Sequence, residues 1–290
     1  MLEHLNPQPK APKRVVIMGA KGFVGGAVAA RLSRDGIPVL PLGRGDVDLL
    51  KATAADDLTR LLKPDDAFVA VSAIAPVKDS AMLVQNMIMA RAMVQALAKA
   101  PVSQVVNISS DAVYADSAQP LTETSCAEPG SLHGAMHLAR EVMFRAEVRA
   151  PLAILRPSLL YGANDPHNGY GPNRFRRLAA KGEAITLFGE GEERRDHVFI
   201  DDVAEIVARV LMHKSKGVLN IATGEVHSFR SIAESAVRLS GKSVPIKGSP
   251  RVGPMPHNGY RPFDIAGCRK AFPDFRFTPL ERGLTFAQRG

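Results

Sequence analysis

Arg14–Met18, reading Arg-Val-Val-Ile-Met, is a short apolar, β-branched run with the character of a buried parallel strand. Gly19, Gly22 and Gly25 follow it at three-residue spacing, and Val24 to Leu32 then carries helical periodicity that stops at Gly36. Pro38 to Leu42 reads as a second strand. A strand, a glycine turn, a helix and a strand in about 30 residues make one βαβ unit. Such a turn aims backbone N–H groups from the positive end of the helix dipole, which suits an anion. Glycine, having no Cβ, lets a pyrophosphate come close. Gly19, Gly22, Phe23, Val24 and Gly25 are therefore candidates for holding a dinucleotide, against the plain alternative of a tight βα turn.

The alternation continues. Helical texture falls at Leu58–Leu62, Met82–Ala98 and Leu138–Val148, and strand texture at Ala67–Ser72, Val102–Ser109 and Leu152–Leu155. This predicts an α/β fold, a doubly wound parallel sheet with helices on both faces. Past Tyr161 the texture changes. Asn164–Asn173 is a Gly/Pro/Asn-rich loop, Phe175–Ala180 looks helical, and Asp201–Met212 is a helix with Asp201 or Asp202 as N-cap. Val218–Ala222 is one more strand, Phe229–Ser240 is helical and Val244–Pro262 is loop-like. The expected organisation is a flexible arm over 1–13, a dinucleotide-binding domain over 14–162 plus 199–222, and a small discontinuous substrate lobe over 163–198 plus 223–290.

Composition narrows the partners. Lys plus Arg number 37 against 29 Asp plus Glu, a formal charge of +8. The basic residues are scattered apart from Arg174, Arg176, Arg177, Arg194 and Arg195, and Trp is absent, so a base-stacking platform for nucleic acid is poorly supplied. A small phosphorylated ligand fits this charge better. No apolar run approaches the roughly 20 residues that cross a bilayer. Met1–Lys13 lacks a secretory core, so the expected location is the cytoplasm. Cys126 and Cys268 lie far apart without a CxxC partner, so no disulfide framework or cysteine metal site is expected.

The second strand ends Pro41-Leu42-Gly43-Arg44, with an arginine where a carboxylate would serve the ribose hydroxyls of NAD. Arg44 can pair with a 2′-phosphate, which favours NADP over NAD. The spacing Gly19-x-x-Gly22-Phe-Val-Gly25 resembles the extended short-chain dehydrogenase/reductase family. Within it, the chain is similar to the NAD(P)-dependent sugar-nucleotide epimerase/dehydratase group and the related deoxysugar reductases. Asp46-Val-Asp48-Leu49, Ser72-Ala73-Ile74-Ala75, Asn86, Ser109-Ser110-Asp111-Ala112-Val-Tyr114, Leu155-Arg-Pro157, Gly189-Glu-Gly191 and Arg195-Asp196-His carry the likeness, as do Asp264-Ile and Pro279-Leu-Glu-Arg-Gly283. The resemblance implies cofactor contacts from Asp48, Leu49, Ala73, Ile74, Ala75, Asn86, Ser109 and Pro157. It implies Ser110 on the substrate oxygen. It places Asp111, Ala112, Asn173, Arg174, Arg195 and Arg261 toward a nucleotide-linked sugar, and relatives pairing through two helices imply a homodimer.

The chain departs from the family where the proton chemistry sits. The family's Tyr-x-x-x-Lys pair is matched here by His133 and His137, in Ser131-Leu-His133-Gly-Ala-Met-His137-Leu-Ala-Arg-Glu141. No tyrosine lies between 114 and 161 to replace it. Three readings stay open. His133 is a working acid/base, its ordinary pKa near 6.5 suiting neutral pH, with His137 holding the ribose. Alternatively the pair binds metal along a face that Glu141 extends. In the third, the pair is inert and the protein is a silent dinucleotide-binding sensor or partner subunit. Glu141 has a family counterpart that binds no metal, so none is assigned. Leu159 stands where many relatives carry a sugar-contacting Asn, and Ala112 where the dehydratases carry Glu, which argues against water elimination.

Overall fold

A computed structural model describes residues 2–289. The strands and helices, in chain order, are β1 (Glu3–His4), β2 (Arg14–Met18), α1 (Phe23–Arg34), β3 (Val39–Leu42), α2 (Ala54–Thr59), β4 (Asp66–Ala70), α3 (Ser80–Lys99), β5 (Gln104–Ile108), α4 (Leu132–Glu147), β6 (Leu152–Pro157) and β7 (Leu159–Tyr161). Then come α5 (Pro172–Lys181), β8 (Ile185–Phe188), β9 (Arg194–Arg195), β10 (His197–Phe199), α6 (Ile200–Met212), β11 (Ser215–Ile221), β12 (His227–Ser228), α7 (Phe229–Ser240), β13 (Ile246–Ser249), β14 (Tyr260–Arg261), α8 (Ala266–Ala271) and α9 (Leu280–Arg289).

A seven-stranded sheet runs in the order β1-β11-β6-β5-β4-β2-β3. All its pairs are parallel except β1 on β11. β4 and β5 are buried at every position, as strands covered on both faces must be, which explains their mainly apolar texture; the polar Asp66, Gln104 and Asn107 are buried with them. One face packs α1 and α6 through Val28, Leu32, Val203 and Val207; the other packs α2 and α3 through Leu58, Met93, Val94 and Leu97. The chain leaves β2 toward β3 on one side and returns to β4 on the other. The carboxyl ends of β2 and β4 therefore flank the point where winding reverses, and α/β sheets bind ligands there. The expected doubly wound parallel sheet is what the chain forms.

A second core gathers Phe175 and Ala179 of α5, Ile185 and Leu187 of β8, Ile232 and Ala236 of α7 and Leu284 of α9. It joins the sheet domain through Tyr161 and Phe199 at the ends of β7 and β10.

Several expectations need correction. The N-terminal segment is not a loose arm. Glu3 and His4 pair with Lys216 and Ser215, and His4 bonds Ser215 Oγ at 2.7 Å and the Ala271 carbonyl at 2.9 Å. Two residues of strand are too short to leave a periodic signal. Within 244–262, Ile246–Ser249 is a strand paired in parallel with β8. It is half-exposed and reads Ile-Lys-Gly-Ser, so no apolar run betrays it. Phe199, without a side-chain cap, starts α6; Asp201 and Asp202 lie in its first turn. Finally, α3 is long and apolar enough by length and composition to cross a membrane, the only such helix among the described residues. Here it buries Asn86, Ala90, Met93 and Leu97 within the fold.

Candidate active site

A cleft of about 800 Å³ opens over the carboxyl ends of β2, β4, β5 and β6. Its cofactor end is the glycine turn. Gly19 has φ +105°, which favours glycine, and its N–H donates to the Leu42 carbonyl at 2.8 Å. The three glycines do different work. A Cβ on Gly25 would lie 2.1 Å from the Gly19 carbonyl oxygen, and one on Gly19 would lie 2.7 Å from the Ser72 nitrogen. Those two are demanded by the chain's own packing. A Cβ on Gly22 would be 3.3 Å from its nearest neighbour, the mildest crowding of the three, and Gly22 lines the cleft. Gly22 is also the N-cap of α1, which has no side-chain cap and no acid in its first turn. The helix thus turns uncapped N–H groups toward the cleft, as an anion site requires.

Phe23, Val24, Arg44, Asp48, Leu49, Ala73, Ile74, Ala75, Ser109 and Pro157 line the same cleft; Gly25 and Asn86 do not. Asn86 acts from behind. Its amide accepts from the Ile74 N–H at 2.9 Å and donates to the Ile74 carbonyl at 3.0 Å, fastening the cleft-lining segment to α3. Asp48 accepts the Leu50 N–H at 3.2 Å, which together with Arg44 holds its carboxyl below the usual range. The Arg44 side chain is 79% exposed, with only a long contact to Asp48 at 3.4 Å. Lys21 lines the cleft beside Arg44 and Gly43, a cation that the sequence reading overlooked although it lies inside the glycine motif.

The chemical end is built where β5 meets α4. Ser110 follows β5, and its Oγ accepts the Ala112 N–H at 3.1 Å. Ser131 caps α4 by accepting the Gly134 N–H at 3.2 Å. Gly134 permits close docking of α4, since a Cβ there would sit 2.0 Å from the Ala112 carbonyl oxygen. That contact brings His133 and His137 into the cleft wall with Ser110. Their rings meet edge to face, 4.8 Å between centroids, and the Nδ1 atom of each is buried without a hydrogen-bond partner. Burial pushes both imidazoles below their ordinary pKa. For His133 nearby Asp111 partly offsets this; for His137, held well below, the charges of His133 and Arg140 add to it.

Glu141 does not extend the histidine face toward a metal. It accepts the Ser109 hydroxyl at 2.6 Å and the Arg156 guanidinium at 2.8 and 2.6 Å, with Arg145 at 3.0 Å. Both oxygens are occupied, and no cluster of three metal-ligating side chains occurs among the described residues.

At the far end, Arg195 lines the cleft with its side chain against Glu193 at 3.2 Å. Asn173 also lines it, but its amide accepts the Gly162 N–H at 3.0 Å and donates to the Leu160 carbonyl at 3.2 Å, so it mainly braces the cleft wall. Arg174 is exposed and lies outside the lining. Arg261 needs the clearest correction as a substrate residue. It is 1% exposed, donating to Asp111 Oδ2 at 2.9 Å, the Asp111 carbonyl at 2.6 Å and Asp116 at 3.1 Å. Asp111 and Ala112 line the cleft, with the Asp111 carboxylate committed to Arg261. Tyr170, His197 and His257 line the cleft without having been singled out from sequence. His257 comes from the segment read as plain loop and bonds Asp116.

Residues 15–222 match the NAD dependent epimerase/dehydratase family. The chain belongs to that family. It is 29% identical over 277 residues to a UDP-glucose 4-epimerase of Mycolicibacterium smegmatis, covering 83% of this chain and 88% of that protein. Among solved structures it resembles the UDP-glucose 4-epimerase of Thermus thermophilus in complex with NAD, with a TM-score of 0.84, 22% identity and coverage of 95% and 98%. A GDP-L-fucose synthetase from Naegleria fowleri superimposes with a TM-score of 0.87 at 16% identity, covering 99% of this chain and 96% of that one. These structural likenesses concern the fold.

Proposed function

We propose that this family member is an NAD(P)-dependent oxidoreductase or epimerase that moves a hydride to or from a carbon of a nucleotide-linked sugar or related carbonyl. One observation carries the reading: a single cleft joins the uncapped α1 turn, Ser110, His133 and Arg195. The residues fit a dinucleotide. Gly22 leaves room beside the α1 N–H groups, Asp48 with Leu49 suits the adenine, and Arg44 with Lys21 offers cations for a 2′-phosphate, which supports NADP ahead of NAD. When bound, the nicotinamide supplies or accepts the hydride.

Ser110 Oγ hydrogen-bonds the reacting oxygen. His133, held neutral by burial, takes the proton from a substrate hydroxyl during oxidation and returns it to the same oxygen during reduction. His137 holds the ribose. Arg195 faces the diphosphate, and residues 163–198 with 223–290 supply the substrate side. The test is turnover: cofactor absorbance is followed with sugar nucleotides and their keto forms, for the wild type and for His133→Phe. Cofactor binding without turnover in the wild type, together with turnover after His133→Tyr plus His137→Lys, would replace this reading with that of a silent dinucleotide-binding protein.

A further inference from the structure

Arg140 lies wholly within the fold beneath the cleft, three residues after His137 on the inner stripe of α4. It meets no carboxylate among the described residues. Its guanidinium donates to Asn107 Oδ1, the Ser72 carbonyl and the Ala70 carbonyl, each at 2.7 Å. Buried Arg156 and Arg261 offer a contrast, for Glu141 and Asp111 respectively neutralise them. An uncompensated buried cation is costly, and here its charge stays on the site. The arginine also spans the junction between the two ends of the cleft, because Ser72 is the residue against which Gly19 packs.

We propose that Arg140 is a positioning residue, which fastens the end of β4 against the glycine turn and adds its fixed charge to the burial that keeps His137 uncharged. This rests on the proposed reading of His137 as a site residue. The family pattern puts a lysine at His137, inside the cleft; in this chain the fixed charge stands one turn further on and outside it. A neutral imidazole keeps both a donor and an acceptor nitrogen for a ribose, which an imidazolium does not.

Burial is the main reason that His137 stays neutral, and of the charged groups His133 and then Arg140 add to it. On α4, Glu141 is spent on Ser109, Arg156 and Arg145. Beyond β5, Asp111 is paired with Arg261; from β6, Arg156 is paired with Glu141. The β4 end, Ala70–Ala75, carries no charge, and Arg91 and Lys99 of α3 are exposed. Arg140 itself is lowered by burial to about 10, so it remains charged at neutral pH.

Histidine NMR titration of the full-length protein tests the assignment. Arg140→Met removes the charge, and the His137 midpoint should rise by about one pH unit. Arg140→Lys keeps the charge, and the midpoint should stay low. Asn107→Asp is nearly isosteric and sets a carboxylate against Arg140 Nε, so it should raise the midpoint while retaining the hydrogen bond. If Arg140→Met fails to fold, the other two variants decide. An unmoved His137 midpoint in Asn107→Asp, or a raised one in Arg140→Lys, overturns the proposal. Shifted midpoints as expected, in a protein that shows no turnover, leave the role of Arg140 standing and sink the proposed activity instead.

Discussion

The two helices that frame the cleft, α1 and α4, face it in opposite ways. At α1 the contact surface is backbone: a glycine turn and the uncapped N–H groups of a helix start. At α4 it is side chains, His133 and His137, with Arg140 behind them. Backbone geometry tolerates almost no substitution, because Gly19 and Gly25 are hemmed in by their own chain. A helix face can exchange its reactive groups while keeping its seat, provided Gly134 still docks on Ala112 and Glu141 still holds Arg156 and Ser109. The glycine turn is thus fixed by packing, whereas the α4 positions held by His133 and His137 are free to vary in chemistry.

The largest expected effect tests the α4 side. His133→Phe should lower hydride transfer by about two to four orders of magnitude while leaving calorimetric cofactor affinity unchanged. The wild-type rate of oxidation should fall as pH drops through a midpoint below 6.5, since burial lowers His133 and the neutral form is the base. A midpoint near the phenol range would place the proton elsewhere.

On the α1 side, Gly22→Asp puts a carboxylate at the helix start. Dinucleotide affinity should fall by ~100-fold or more, because like-charge juxtaposition costs several kcal/mol. The melting temperature should drop far less than in Gly25→Ala, whose methyl has nowhere to go. Equal thermal losses would show that Gly22 too is structural.

A stability measurement separates cleft groups from neighbouring buried ones. His197, in contact with both the cleft and the second core, is lowered by burial to about 3, and His137 is also held well below 6.5. Both are neutral in the fold and take up protons on unfolding below about 6.5, so stability falls as pH falls. For His197 this amounts to about 2 kcal/mol by pH 5. Asp202, raised by burial to about 6, opposes it by about 1 kcal/mol over the same window. Melts at pH 7 and pH 5 should show a net loss that shrinks in His197→Leu and grows in Asp202→Asn.

The smallest effect sharpens the cofactor choice. Arg44→Ala should weaken NADP by about fivefold relative to NAD, an exposed pair being worth up to ~1 kcal/mol. Lys21→Ala should add to it. Equal losses for both cofactors would remove the case for a 2′-phosphate contact.

What the sequence determined by itself was everything local or periodic. The apolar run Arg14–Met18, the glycines after it and the alternation through Leu155 specify a parallel sheet and the place where its cleft opens, because strand burial and turn geometry are set by adjacent residues. Ser110, His133 and His137 were also readable, as matches to or departures from a spaced motif. Tertiary structure alone decided which charges reach the cleft. Arg261 and Arg195 look alike in sequence, yet one is buried on Asp111 and the other lines the cleft, since their partners come from 150 residues away and from two residues away. Only the fold could show Arg140 on the carbonyls of Ala70 and Ser72, or His257 at the cleft, because these contacts join segments whose spacing carries no pattern and whose energy is settled by burial and pairing in three dimensions.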